Sequence, residues 1–278
     1  VNTFEIGFEH PATFTSGDPI DIPLSAKYYM GKPLSKAKLN WNVYAYAEYP
    51  RPRGFDEFEF GDLSRDPENY SDNGERPLTS QGTSTISVNL PEQTINPGPR
   101  RVSVSARVTD ANQQTISNST RFLVHSSDFY LGLRKPEGIH RAGDKATFSF
   151  AAVNHDGIAR TEPVPVTVLV EKEIWNTVKV LGANGKLTHR NERSLQMISE
   201  ETLDLETKID EETGLTLAQP HEITFAEAGD YLITLTARDD QGRPAITRSR
   251  FTIIGAEEPS WSWYDVIRID LIPDKTSY

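Results

Sequence analysis

The chain repeats itself, and that repeat limits its architecture more than any other feature. Residues 4–11 read FEIGFEHP and residues 129–136 read FYLGLRKP: Phe, an aliphatic residue, Gly, an apolar residue and Pro recur 125 positions on. SGDPIDIPLSAKYYMGKPL, with Gly17-Asp18, then finds its counterpart in RAGDKATFSFAAVNHDGIA, with Gly143-Asp144, at an offset of 126. Near the end of each copy, Arg121-Phe122 matches Arg250-Phe251 at an offset of 129, the small drift that loop insertions produce. A period this long exceeds any solenoid unit, so each copy is a complete domain. A chain of 278 residues accommodates two such domains, each able to bury its own core.

Within each copy, apolar and polar residues alternate over short stretches bounded by Gly, Pro, Asn and Asp, the pattern of half-buried strands. Leu39–Val43, Thr85–Asn89, Val102–Ala106 and Val164–Val170 show it. No stretch sustains a helical period with caps. Asp110-Ala111-Asn112 and Asp239-Asp240-Gln241-Gly242 lie between strands that they can join as hairpin tips. Tyr231, just inside a strand after Gly229-Asp230, resembles the tyrosine that braces a corner in Greek-key sandwiches. The fold class expected is all-β: tandem antiparallel β-sandwiches at residues 1–126 and 127–256. Residues 257–278 then form a linker and the first strand of a truncated third domain, because Ile267-Arg268-Ile269-Asp270-Leu271 repeats the apolar spacing of Phe4, Ile6 and Phe8.

Composition excludes several classes of function. The net charge of −11, from 40 acidic and 29 basic residues with no long run of either sign, is unlike a nucleic-acid footprint. With no cysteine, the chain holds no disulfide, zinc-thiolate site or thiol nucleophile. The longest apolar runs are strand-sized, shorter than a membrane-crossing helix needs. Val1 follows no visible leader or lipid-attachment motif, so the chain reads as a mature protein or an excised piece.

Three passages resemble the bacterial alpha-2-macroglobulin-like proteins, in their tandem macroglobulin-like domains. They are Pro19–Ile22 through Tyr28-Tyr29-Met30-Gly31-Lys32-Pro33-Leu34 with Trp41 following; Phe225 through Gly229-Asp230-Tyr231 and Ala237–Gly242; and Ile269–Tyr278, with its PDKTSY ending. The resemblance implies a protease trap, in which cleavage of an exposed bait segment rearranges the molecule and a thioester built from Cys and Gln can bond the attacker. Lacking Cys and any recognisable bait region, this chain would supply scaffold upstream of those parts. Its partners would be target proteases, met through the full-length parent, and neighbouring domains of the same chain. A leader and lipid anchor upstream, and a periplasmic or cell-surface location, are further expectations from the resemblance. From a different class, a surface adhesion module of stacked Ig-like domains is the alternative. A carbohydrate-binding accessory domain ranks below it.

No enzyme activity, cofactor or metal is expected, yet several clusters invite the test. His125-Ser126-Ser127-Asp128 gathers the residue types of a hydrolase triad, but without a nucleophile elbow it reads as a polar linker between domains. The six histidines are scattered without metal-ligand spacing and default to the solvated surface. In Phe55–Phe60, Glu57 and Glu59 share one strand face and Phe58 and Phe60 the other; an edge strand explains this better than a glycosidase carboxylate pair. The surrounding segment, Tyr49 to Gly82, is long enough to be mobile or to have a task. Asp110, Asn112, Asp239 and Asp240 suit turns better than calcium. The sequons Asn69-Tyr70-Ser71 and Asn118-Ser119-Thr120 matter only in a eukaryotic secretory host. Between Asn176 and Glu212, polar and charged residues interrupt the strands; Leu203, Leu205 and Ile209 alternate as a strand would, while Lys186, Arg190 and Arg193 offer sites for trypsin-like cleavage. Trp261 and Trp263 pack a domain junction in this reading rather than forming a sugar platform.

Overall fold

A computed structural model describes residues 4–62, 69–93, 97–181, 187–212, 214 and 216–255. All regular structure among them is β. Trp261, Trp263 and the Ile267–Tyr278 tail lie outside the described residues, as does Lys186.

The first half contains β1 (Phe4–Phe8), β2 (Thr13–Thr15), β3 (Asp21–Tyr28), β4 (Lys38–Ala47), β5 (Glu59–Phe60), β6 (Tyr70–Pro77), β7 (Thr83–Ser87), β8 (Arg100–Thr109) and β9 (Thr115–His125). One sheet runs β1-β3-β7 and the other β2-β9-β8-β4-β6. Side chains of a strand point alternately to its two faces, so the apolar set of each strand lands on one side. Ile22, Leu24 and Ala26 of β3 therefore meet Leu39, Trp41, Val43 and Ala45 of β4 and Val102, Val104, Ala106 and Val108 of β8 in one buried core.

The second half holds β10 (Tyr130–Arg134), β11 (Lys145–Val153), β12 (Val164–Leu181), β13 (Leu187–Leu205), β14 (Lys208–Ile209), β15 (Thr216–Leu217), β16 (Gln219–Thr224), β17 (Gly229–Arg238) and β18 (Pro244–Ile253). Its sheets run β16-β11-β10-β5 and β13-β12-β17-β18, with β14 and β15 paired separately. The duplication is thus visible strand by strand. The order β7-β3-β1 recurs as β16-β11-β10, and β9-β8-β4-β6 recurs as β18-β17-β12-β13. A second core forms around Phe148, Phe150, Val166, Val168, Phe225, Tyr231, Ile233 and Phe251. Tyr231 closes its corner by donating its hydroxyl to the Glu227 carbonyl at 2.7 Å.

One expectation needs correction. The polar stretch from Asn176 onward does not interrupt strands; most of it is strand. β12 pairs with β17 only from Thr167 to Lys172, whereas its pairing with β13 runs on to Leu181 opposite Leu187. The excess is a two-stranded ribbon that extends past the sandwich. Each side of such a ribbon can face water, so its residues carry no apolar alternation to read. At its root, the buried Glu173 carboxylate accepts bonds from Arg193 and Arg250. Arg190 and Arg193 are therefore β-paired in this ribbon, a conformation unlike the free extended loop that trypsin-like cleavage needs.

Candidate functional site

The site with the most organised chemistry is the joint between the two sandwiches. It begins with the long connection after β4. Residues 49–62 leave the first sandwich and lie across the second as a strap, adding β5 to the exposed edge of β10. Phe60 pairs with Gly132 and Glu59 with Leu133. The expected edge strand exists, but it belongs to the neighbouring domain's sheet, the outcome that an unpaired β10 edge favours. Its apolar face, Phe55, Phe58 and Phe60, packs on Tyr130, Ala151, Val153 and Ala218. On its acidic face Glu57 and Glu59 form ion pairs with Arg134 and Lys135, so neither carboxylate faces the other as a catalytic pair would.

Two glycines make room for the strap. A Cβ on Gly132 would lie 2.8 Å from Phe60 Cζ. Gly157, at φ 80°, completes a turn in which the Asn154 side chain accepts from the Asp156 and Ile158 amides; a Cβ there would meet the Arg53 carbonyl at 2.9 Å. The strap ends on β18. The Gly61 amide donates to Thr247 Oγ1 at 3.0 Å, the Arg248 amide donates to the Gly61 carbonyl at 3.0 Å, and the Arg248 guanidinium pairs with Asp62 at 3.2 Å. Thr247 in turn donates its hydroxyl to the Leu131 carbonyl at 2.5 Å.

The polar linker lies between the domains as expected, but His125, Ser126 and Ser127 are buried, and His125, only 4% exposed, is not the solvated surface histidine expected by default. The buried side chains of Ser127 and His125 are tolerated there because both have partners. The Ser127 hydroxyl donates to the Phe129 carbonyl at 2.7 Å, and the His125 ring bonds the Tyr130 hydroxyl. The His, Ser and Asp of this tetrapeptide therefore turn to other partners and do not assemble as a triad. Asp128 instead joins a three-way staple: the Arg243 guanidinium reaches Asp239 Oδ2 at 2.7 Å, Asp128 Oδ1 at 2.6 Å and the Ser16 carbonyl at 3.3 Å. Burial by itself would raise the Asp239 carboxyl. Hydrogen bonds from the Arg243 amide and guanidinium and from the Asp128 and Gln241 amides outweigh it and hold Asp239 below its ordinary value.

Asp110 and Asp239 occupy equivalent hairpin tips. Asp110 Oδ1 accepts from the Asn112 and Gln114 amides and Asp239 Oδ1 from the Gln241 and Arg243 amides, as Asx turns do. Among the described residues no group of three or more His, Cys, Asp or Glu side chains is placed to hold a metal. Asn118 spends its side-chain amide on the Ile6 carbonyl at 2.7 Å.

Beneath the strap lies an open groove of about 480 Å³ lined in part by Tyr46, Tyr49, Arg101, His125, Tyr130 and His155. Several of its polar groups are already engaged: Arg101 pairs with Glu48 at 3.0 Å, and His155 Nε2 donates to the Ser127 carbonyl at 2.8 Å. Sequence reasoning singled out neither Tyr130, His155, Arg243 nor Thr247. The one available signal was the long connection itself, which implied a task without naming its contacts.

Tandem sandwiches that share an order of seven strands, locked by a strap, define a macroglobulin-like pair of domains. Residues 4–124 match the family model described as the bacterial alpha-2-macroglobulin MG5 domain. The first sandwich is thus a macroglobulin domain of the bacterial alpha-2-macroglobulin type, and the chain as a whole is similar to those proteins. It is 24% identical over 272 residues to an alpha-2-macroglobulin homolog of Nostoc sp., covering 94% of this chain and 13% of that protein. Its fold matches E. coli alpha-2-macroglobulin in the native conformation with a TM-score of 0.61 and 16% identity, over 100% of this chain and 18% of that one. The same E. coli protein activated by porcine elastase gives a TM-score of 0.59 and 16% identity, over 92% of this chain and 22% of that one. The chain thus spans less than a quarter of the length of these relatives.

Proposed function

We propose that this chain is a non-catalytic scaffold segment of a longer protease trap, holding a fixed angle between two macroglobulin-like sandwiches. The observation that carries the reading is the strap. A segment of the first sandwich supplies an edge strand and three phenylalanines to the second, so the domains cannot pivot without breaking backbone pairs and exposing apolar surface. Burying three such rings contributes roughly 1.5–3 kcal/mol each, ample to restrict a joint. Rigid bodies meeting at a few defined interfaces are what a large rearrangement acts through. The E. coli relative is known in native and elastase-activated forms, which supports proteases as partners of the parent. Export of the parent, with a leader and lipid anchor upstream, belongs to the same proposal; fractionating the source cells tests it.

Inhibition assays with elastase or trypsin and a protein substrate test the function. The chain alone is expected to leave proteolysis unchanged, while the full-length parent suppresses it. Inhibition by the isolated chain, or a parent without effect, would overturn the reading.

A further inference from the structure

The joint contains a pair of imidazoles that the scaffold reading does not use. His125 ends β9 in the first sandwich, and His155 sits in the turn after β11 in the second. Their rings stack face to face, with centroids 3.4 Å apart and planes 6° from parallel. Tyr130 lies against both, at 5.8 Å and 5.3 Å between centroids.

The hydrogen bonds favour a neutral His125. His155 Nε2 must carry a proton to donate to the Ser127 carbonyl. Burial, with the nearby Glu48 charge, pushes the Tyr130 phenol well above its ordinary range, so it keeps its proton. That proton has His125 Nδ1 as its acceptor. A protonated His125 would donate to the phenol oxygen instead, turning the Tyr130 O–H away from its acceptor, and would bury a cation against a second basic ring.

The charged groups around the pair do not compensate for such a cation. Glu48 and Arg51, from the end of β4 and the strap, and Arg101 of β8 line the groove that His125 and His155 share. Asp18, Glu92, Arg100 and Arg243 line the adjoining groove on the other side of His125. Carboxylates and guanidiniums are thus interleaved, with Glu48 already paired to Arg101.

We propose that the His125–His155 stack is an acid-sensitive pin, whose protonation loosens the joint between the two sandwiches. The proposal rests on the joint's geometry and stands whether or not the parent traps proteases. Its direction follows from linkage. Burial first, and then His155, lowers His125 to about 4, whereas an opened joint returns it toward the ordinary value of about 6.5. A depressed folded value means that the closed joint is fully stabilised above about pH 6.5 and loses that stabilisation as pH falls toward 4. Each pH unit in that window shifts the balance toward the open joint by up to about tenfold, about 300-fold across it.

Because the chain has no cysteine, a spin-label pair can be introduced at the exposed positions Lys32→Cys and Glu200→Cys and the distance between the sandwiches followed by double electron–electron resonance. One narrow distance distribution is expected at pH 7.5, with a second, broader population growing between pH 6.5 and 4. In His125→Gln, which cannot acquire the charge, that population should be absent over the same range. The Arg243–Asp128 and Arg248–Asp62 pairs are left intact in His125→Gln, so the variant separates the histidine from them. A distribution that stays narrow to pH 4, or one that broadens equally in the variant, would overturn the proposal. If His125→Gln does not fold, histidine NMR on the unaltered chain decides: a His125 titration near 6.5 with the joint closed would refute it.

Discussion

Gly132 lies so close to Phe60 that a single added carbon would stand 2.8 Å from the ring. The equivalent glycine of the first sandwich, Gly7, meets only Ser25 Oγ, at 3.4 Å. One glycine of the repeated motif therefore serves the joint, and the other does not.

Gly132→Ala should accordingly displace the strap, with an overpacking cost of about 1–3 kcal/mol, because Phe60 is held in a buried cluster and cannot swing aside. Gly7→Ala should be neutral or stabilising by up to about 1 kcal/mol, since alanine is the better residue in a strand interior. Hydrogen exchange at the amides of residues 57–62 separates the two. Equal protection in both variants would mean that the strap does not depend on close approach at Gly132.

Trp41 is expected to anchor the first core. It belongs to the buried cluster of the first sandwich, and its ring fills the space where a Cβ on Gly74 would lie 2.5 Å from Trp41 Cζ2. Trp41→Ala should cost about 3–5 kcal/mol in denaturant unfolding. A change below about 1 kcal/mol would show that the ring is not a core element.

The two Asx-turn hairpins differ at their left-handed residue, which is Gln113 at φ 63° in the first and Gly242 at φ 78° in the second. Gln113→Gly should stabilise the first sandwich by about 0.5–1 kcal/mol, and Gly242→Gln should destabilise the second by a similar amount. Thermal melts of the two variants should move in opposite directions.

Asp239→Asn keeps the side-chain acceptor of its turn but removes the charge that Arg243 grips. The loss at neutral pH should be about 1.5–3 kcal/mol, the size of a hydrogen bond to a charged group. An acid held below its ordinary value stabilises fully above that value and loses its contribution as pH falls through the folded value. Urea unfolding of the variant and the unaltered chain should therefore converge in acid. A gap that persists there would assign the effect to the turn rather than to the charge.

Much of the fold was legible in the sequence. Alternation marked Leu39–Val43 and Val102–Ala106 as strands because one of their faces is buried, and the Tyr231 corner was visible as a tyrosine after a turn. The β12–β13 ribbon was not, because side chains wet on both faces lose the period that reveals a strand. The joint was only partly legible. Phe58 and Phe60 were correctly set on one face of an edge strand, but the sheet they join lies in the other domain, and pairing across 72 residues between Phe60 and Gly132 leaves no local trace.

The repeat by itself determined that the chain holds two copies of one all-β domain, since duplicated period-two patterns admit no other simple packing. Only the tertiary structure decided how the copies meet. The unpaired edge of β10 could have been left open, covered by its own domain or supplied by a neighbour, and all three are compatible with the same alternation. Long-range burial selected the strap, and that choice turned His125 from one residue of a polar tetrapeptide into half of a buried stack.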